Sequence, residues 1–164
     1  MEFKLGQHTT LKEISTDWDF SCDGDSELLE NRMCQFMLDS RGIGLAANQI
    51  ALPKRVFTMG AEDIPGFPTP FALYNPRIIE TSDELVLDQE GCLSFPGLYL
   101  SIKRPSWVVV EYEDSQGNTH AYRAEDYAAK CVQHELDHLN GICFVDIVSP
   151  LKLKLASKKL RKHR

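Results

Sequence analysis

The sequence predicts one α+β domain: antiparallel strands around a central helix carrying His134-Glu135-Leu136-Asp137-His138, closed by a short C-terminal helix. Three observations predict it. Short strand-like runs separated by turn residues fill the chain between about residues 55 and 123. The segment after them carries apolar residues on two helical stripes. No repeat, low-complexity tract or long interior linker divides the 164 residues, a length that one core can serve.

Taken in order, Asp23-Gly24-Asp25-Ser26 supplies helix-start residues, and Leu29, Met33, Phe36 and Met37 follow on one face. That spacing predicts an amphipathic helix ended by Gly42. Gly42-Ile43-Gly44-Leu45-Ala46-Ala47-Asn48-Gln49 comes next, a run of small residues around amide side chains. Arg55–Met59, Phe71–Tyr74, Glu84–Leu87, Leu98–Ile102 and Trp107–Tyr112 read as strands. Pro65, Gly66, Pro68 and Pro70 make 61–70 a loop. Asp114-Ser115-Gln116-Gly117-Asn118 is a hairpin turn into Thr119–Arg123.

The second helix is predicted from Ala124 to about Leu139, with Gly141 just beyond its end. Ala128, Val132, Leu136 and Leu139 form one stripe; Tyr127, Cys131, His134 and His138 form the other. A helix covered on both stripes is a buried one. Ser149-Pro150 then opens the last helix, a hydroxyl cap followed by proline at the first helical position. The predicted division is residues 1–150 as the catalytic unit and 151–164 as a basic helical tail.

Composition bounds the function classes. No stretch approaches the roughly 18 apolar residues of a membrane-spanning helix. The N-terminus resembles neither a signal nor a transit peptide, so the expected location is cytoplasmic, with an already cleaved organelle form also compatible. Five cysteines without C-x-x-C spacing argue against a disulfide framework and for a reducing compartment. From Lys152 onward there are seven basic residues and no acid, whereas the preceding residues hold eleven bases and all 24 acids. A basic end on an acidic body suits phosphate or an acidic surface, though a solvated helix face explains it equally well.

The chemistry centres on the HExxH spacing. Residues four apart in a helix stand one turn apart on one face, so His134 and His138 can share a divalent ion. Glu135 can then reach a metal-activated water and take its proton. A charged Glu135 on a buried helix is costly unless something nearby offsets it. A catalytic site needs a third ligand and one open position. Downstream, Asp146 and His163 are the candidates, and neither has the HExxHxxGxxH spacing. Upstream, Cys92 follows a glycine and offers a thiolate.

Gly42-Ile43-Gly44-Leu45-Ala46-Ala47-Asn48-Gln49, Glu90-Gly91-Cys92-Leu93-Ser94 and Gln133-His134-Glu135-Leu136-Asp137-His138 together resemble, in order, the three signature motifs of the peptide deformylase family. The resemblance implies hydrolysis of the N-terminal formyl group from formyl-methionyl polypeptides, with release of formate. It implies a metal held by Cys92, His134 and His138, iron(II) being the expected ion and zinc, nickel or cobalt substitutes. Glu135 becomes the general base and acid, and the Gln49 side chain and Leu93 backbone N–H become donors to the developing oxyanion.

It further implies that Gly44 pairs with the extended substrate while Ile43, Cys131 and His134 line the methionine pocket. Arg104 is expected to brace Glu90 beside the cysteine loop. The basic C-terminal helix is implied to dock on the ribosome, so its removal after Pro150 should spare hydrolysis; no membrane or DNA partner is implied.

The sequence departs from the family pattern at Asn48, where threonine is commoner, and at Gly97-Leu98-Tyr99, which lacks an entrance arginine. The stretch around His8-Thr9-Thr10-Leu11 is abbreviated and lacks the usual proline. Two other readings remain at this point: a small zinc endopeptidase using Asp146, and a ribosome-associated binding module without activity.

Overall fold

A computed structural model describes residues 3–5, 10–60 and 69–162. The expected 61–70 loop and the His8–Leu11 stretch therefore fall largely outside the described residues, as does His163. The elements are α1 (Ser26–Asp39), β1 (Gly44–Ala46), β2 (Val56–Met59), β3 (Phe71–Thr81), β4 (Leu85–Gly91), β5 (Tyr99–Pro105), β6 (Trp107–Glu113), β7 (Thr119–Glu125), α2 (Asp126–Leu139), α3 (Phe144–Ile147) and α4 (Pro150–Lys162). Five antiparallel strands run in the order β1-β2-β3-β6-β7, and β4 pairs with β5 in a separate ribbon. The α+β expectation holds.

The helix boundaries follow local chemistry. Asp25 caps α1, its carboxylate accepting from the Leu28 N–H at 2.9 Å. The predicted stop at Gly42 is one residue late: Arg41 adopts the left-handed conformation, with φ of 58°. The N–H groups of Arg41 and Gly42 close the last turn onto Leu38 and Met37. Helix α2 ends the same way with Gly141 at φ 73°, here as the sequence predicts. It begins at Asp126 rather than Ala124, because Ala124 and Glu125 pair with β6.

Two strands differ from expectation, and a short helix is added. Gly44–Ala46, left without an assigned element in the sequence, is the edge strand beside β2. Strand β3 runs on to Thr81, passing Pro76 through a register shift between Tyr74 and Arg77. Proline lacks the ladder donor and is accommodated at such irregularities. Helix α3 was not anticipated; four residues are too few for a periodic signal.

The sheet is covered on two sides. Phe57, Met59, Leu73, Val108 and Val110 pack against Ala128, Val132, Leu136 and Leu139 of α2. On the opposite side Leu45, Val56, Ala72 and Tyr74 meet Met33 and Met37 of α1. Burial on both sides explains why β2 lacks the usual polar alternation. A third cluster joins Leu98, Leu100 and Ile102 to Phe144, with Leu153, Ala156 and Leu160 of α4 packed against it. The predicted boundary at residue 150 therefore marks a change of charge, while α4 itself lies on the body of the protein.

Candidate active site

Helix α2 is the floor of the site. His134, Glu135 and His138 are buried on it, and the imidazole rings sit edge to face with centroids 4.9 Å apart. The loop after β4 delivers Cys92 to them: its Sγ lies 3.2 Å from His138 Nε2. One ligand atom each from Cys92, His134 and His138 fit within 4.8 Å of one another. Asp146, the downstream alternative, instead accepts from the Cys143 N–H at 2.8 Å and pairs with Lys12. It does not join the metal-capable group among the described residues.

Glu90, one residue before the Gly91-Cys92 step, orients this cluster. Its carboxylate faces His134 Nδ1 at 3.0 Å, leaving Nε2 for a metal. Arg104 grips Glu90 through one guanidinium edge, Nε and Nη2 donating at 2.5 and 3.0 Å, and its Nη1 donates to Asp137 at 2.7 Å. The ion pair expected between Glu90 and Arg104 is present, and Asp137 is its unforeseen third member. Burial pushes the Glu90 carboxyl up, but the bonds from His134 and Arg104 outweigh it and hold the group at about 2. His134 shows the converse. Burial disfavours its cation, yet Cys92 and Glu90 pull it up to about 10. The surrounding groups demand positive charge at this point, which a proton or a divalent cation can supply.

Glu135 is only 4% exposed, and its Oε2 has no hydrogen-bond partner among the described residues. Burial raises its carboxyl to about 7, with His134 opposing the shift. Gly44 lies directly against it: a Cβ there would stand 2.4 Å from Glu135 Oε1 and 2.8 Å from Cys131 Sγ. Strand β1 can approach the carboxylate this closely only because residue 44 has no side chain.

Gln49 is fixed at both ends. Its Oε1 accepts from the Ala46 N–H at 2.8 Å, which turns its amide nitrogen toward Ser94 Oγ at 3.0 Å and Cys92 Sγ at 3.5 Å. Neighbouring Asn48 donates to the His138 carbonyl, tying the β1 segment to the end of α2. Ser94 and Asp137 were missed as partners; each contact spans more than 30 residues, so spacing carries no trace of it.

These groups lie along a cleft of about 610 Å³ that opens past Arg41, Tyr99, Tyr127 and Lys130. Ile43, Gly44, Gln49, Cys92, Leu93, Cys131, His134 and Glu135 all line it, so the structure gathers the sequence-nominated residues, with His138 beneath them. Tyr127 is 44% exposed, so the second stripe of α2 is open where it enters the cleft rather than covered throughout. Loop 92–98 forms the far wall, and Gly97 in it is braced from behind by α4, with Leu160 Cδ1 2.9 Å from where a Cβ would be.

The donor set fits a borderline-soft divalent ion: one sulfur, two imidazole nitrogens, and an unpartnered buried carboxylate oxygen beside them. Such a site on an α+β scaffold has the make-up of a mononuclear metal-dependent hydrolase.

Comparison with known proteins narrows the class. Residues 2–154 match the model of the polypeptide deformylase family. The peptide deformylase of Rhizobium meliloti is 38% identical over 152 residues, 93% of this chain and 87% of that one. The crystal structure of a peptide deformylase from Legionella pneumophila superposes with a TM-score of 0.87 at 34% identity, covering 99% and 95% of the two chains. A Met-Ala-Ser-bound peptide deformylase from Acinetobacter baumannii gives 0.81 at 30% identity, over 90% and 99%. The chain belongs to the polypeptide deformylase family, metal-dependent hydrolases that act on formylated nascent peptides. No helix among the described residues is long and apolar enough to cross a membrane.

Proposed function

We propose that Cys92, His134 and His138 hold one divalent ion and that Glu135 moves the proton while the N-terminal formyl group of a formyl-methionyl peptide is hydrolysed to formate. The observation that carries this reading is the buried Glu135 carboxylate, one oxygen unpartnered, beside the thiol and imidazole cluster. A bound ion would supply Lewis acidity and lower the pKa of water at the site. Glu135 then takes the proton of the attacking water and returns it to the departing amine nitrogen. A carboxyl raised toward neutrality suits both transfers.

The formyl oxygen gains charge as its carbon becomes tetrahedral. Gln49 Nε2, aimed by the Ala46 bond, is one donor to it. The Leu93 N–H, which meets no acceptor among the described residues, is the other. Gly44 offers its backbone to the substrate. The Gly60 N–H donates to Ile43 O on the β2 side, so alternation turns the Gly44 groups outward. Ile43 and Cys131 form walls for the methionine side chain.

Iron(II) is our assignment for the native ion; zinc, nickel and cobalt suit the same donors. We place the reaction in the cytoplasm, on chains leaving the ribosome. Exposed Lys154, Lys158, Lys159 and Arg161 on α4 form the surface for ribosome contact, and residues 1–150 carry the chemistry. Replacing three of these bases by glutamate should weaken ribosome pelleting.

Formate release from formyl-Met-Ala-Ser tests the central reading. The wild-type protein should turn it over, and Glu135→Gln should retain the ion while losing about 10²–10⁴-fold in rate. A Glu135→Gln variant of undiminished rate would exclude the assigned role.

A further inference from the structure

The cleft mouth carries a cation that the reaction itself does not use. Arg41 is exposed, lines the cleft, and makes no ion pair or side-chain hydrogen bond among the described residues. The other basic group at the rim, Lys130, is engaged: its Nζ lies 2.5 Å from Asp88 and 3.1 Å from the Gln89 carbonyl. Of the two acids that line the cleft, Glu90 is held by Arg104 and Glu135 is buried at the floor. Free positive charge at the entrance therefore comes from Arg41.

The backbone fixes where that charge stands. Arg41 occupies the left-handed position after α1, where glycine is the least strained residue. Two hydrogen bonds hold it there, from its own N–H to Leu38 O at 2.8 Å and from the Gly42 N–H to Met37 O at 2.9 Å. It immediately precedes the segment leading into β1. Gly42 faces the far wall so closely that a Cβ would meet Leu93 Cδ1 at 2.6 Å. Gly42 is therefore packed on the far wall, and Arg41 stands at the outer end of that contact.

Direction follows from the same strand. Strand β1 runs from Gly44 toward Gln49, and Glu135 lies against Gly44. A substrate with its formyl end at Gln49 and Glu135 must run antiparallel to β1, back past Gly42. At about 3.3 Å per residue, methionine opposite Gly44 places the third residue opposite Gly42 and the fourth opposite Arg41. We infer that Arg41 is a specificity-determining residue that favours acidic side chains at the third and fourth positions of the substrate peptide. The inference rests on the deformylase reading and deepens it: electrostatic complementarity at a solvent-exposed rim selects among nascent chains.

The test measures kcat/KM for C-terminally amidated formyl-Met-Ala-Xaa-Ala and formyl-Met-Ala-Ala-Xaa, with glutamate, glutamine or lysine as Xaa. Glutamate should exceed glutamine by about two- to fivefold, as expected for an exposed pair, chiefly through KM. Lysine should be the poorest. The preference should shrink in about 0.5 M sodium chloride, where screening is strong, a response that a purely structural role would not give. Arg41→Asn, whose side chain tolerates the left-handed conformation, should bring the ratio close to one. Arg41→Lys should retain it and Arg41→Glu invert it. Turnover with no charge preference, or a preference that persists in Arg41→Asn, overturns this inference alone. Absence of turnover with every peptide overturns the deformylase reading and this inference with it.

Discussion

Removing the Arg104 side chain should cost more stability than removing the acid it holds. Arg104 bridges Glu90 and Asp137, and the Glu90 and Arg104 side chains are 2% and 11% exposed. Arg104→Met preserves length and leaves Glu90 facing only His134. Stripping one partner from a buried pair costs about 3–5 kcal/mol, because the other charge is left without compensation. The depression of the Glu90 carboxyl from 4.5 to about 2 agrees in size, at about 1.4 kcal/mol per unit.

Glu90→Gln should cost less, since Arg104 keeps Asp137 and the glutamine oxygen can still accept from His134. The double variant should recover part of the Arg104→Met loss, a coupling of at least about 1 kcal/mol. Arg104→Lys should fall between, keeping charge but losing the bidentate grip. Urea denaturation with chelator present measures all four without a contribution from metal affinity.

The pH dependence has a definite sign. Because the folded Glu90 carboxyl lies below its ordinary value of 4.5, its stabilisation is fully present above about pH 4.5. It is lost as the pH falls through that value toward 2, and Glu90→Gln should flatten this limb. A loss below about 1 kcal/mol for Arg104→Met, or strict additivity in the double variant, would refute the bracing role.

Gly44→Ala should lower kcat at least about tenfold and stability by about 1–3 kcal/mol, because its Cβ would enter the space of Glu135 Oε1. Formate release and thermal melting check it; unchanged kcat would mean the carboxylate can step aside. Gln49→Leu should lower kcat about 10²–10³-fold with little change in metal content, as expected for loss of an oxyanion donor. Steady-state kinetics with metal analysis separates the two quantities. Truncation after Pro150 removes Leu153, Ala156 and Leu160 from the cluster behind loop 92–98. It should lower the melting temperature and slow hydrolysis. Full activity in the truncated chain would show that α4 does not support the loop.

That last expectation reverses the one drawn from sequence, and the reason is instructive. The basic run of 152–164 advertises a detachable tail, whereas the inward-facing Leu160 meets Gly97 more than 60 positions away. The catalytic helix was legible because His134 and His138 are coupled by local geometry, and helical periodicity writes such coupling into spacing. Cys92 could be nominated from the glycine before it and from the resemblance of its short motif, but not placed, since the fold alone brings it to His138. Strand β1 was hidden for a different reason: three residues covered on both faces show no alternation. Arg41 ended α1 where a glycine was expected, since the sequence offered Gly42 one residue later.

The proposed chemistry requires one sulfur and two nitrogens sharing an ion at the end of α2. X-ray absorption at the metal edge of the zinc-loaded protein reports that directly. One sulfur near 2.3 Å and two nitrogens near about 2.0–2.1 Å are predicted, with the sulfur shell vanishing in Cys92→Ala. A spectrum fitted by nitrogen and oxygen alone, unchanged in that variant, would contradict the assignment.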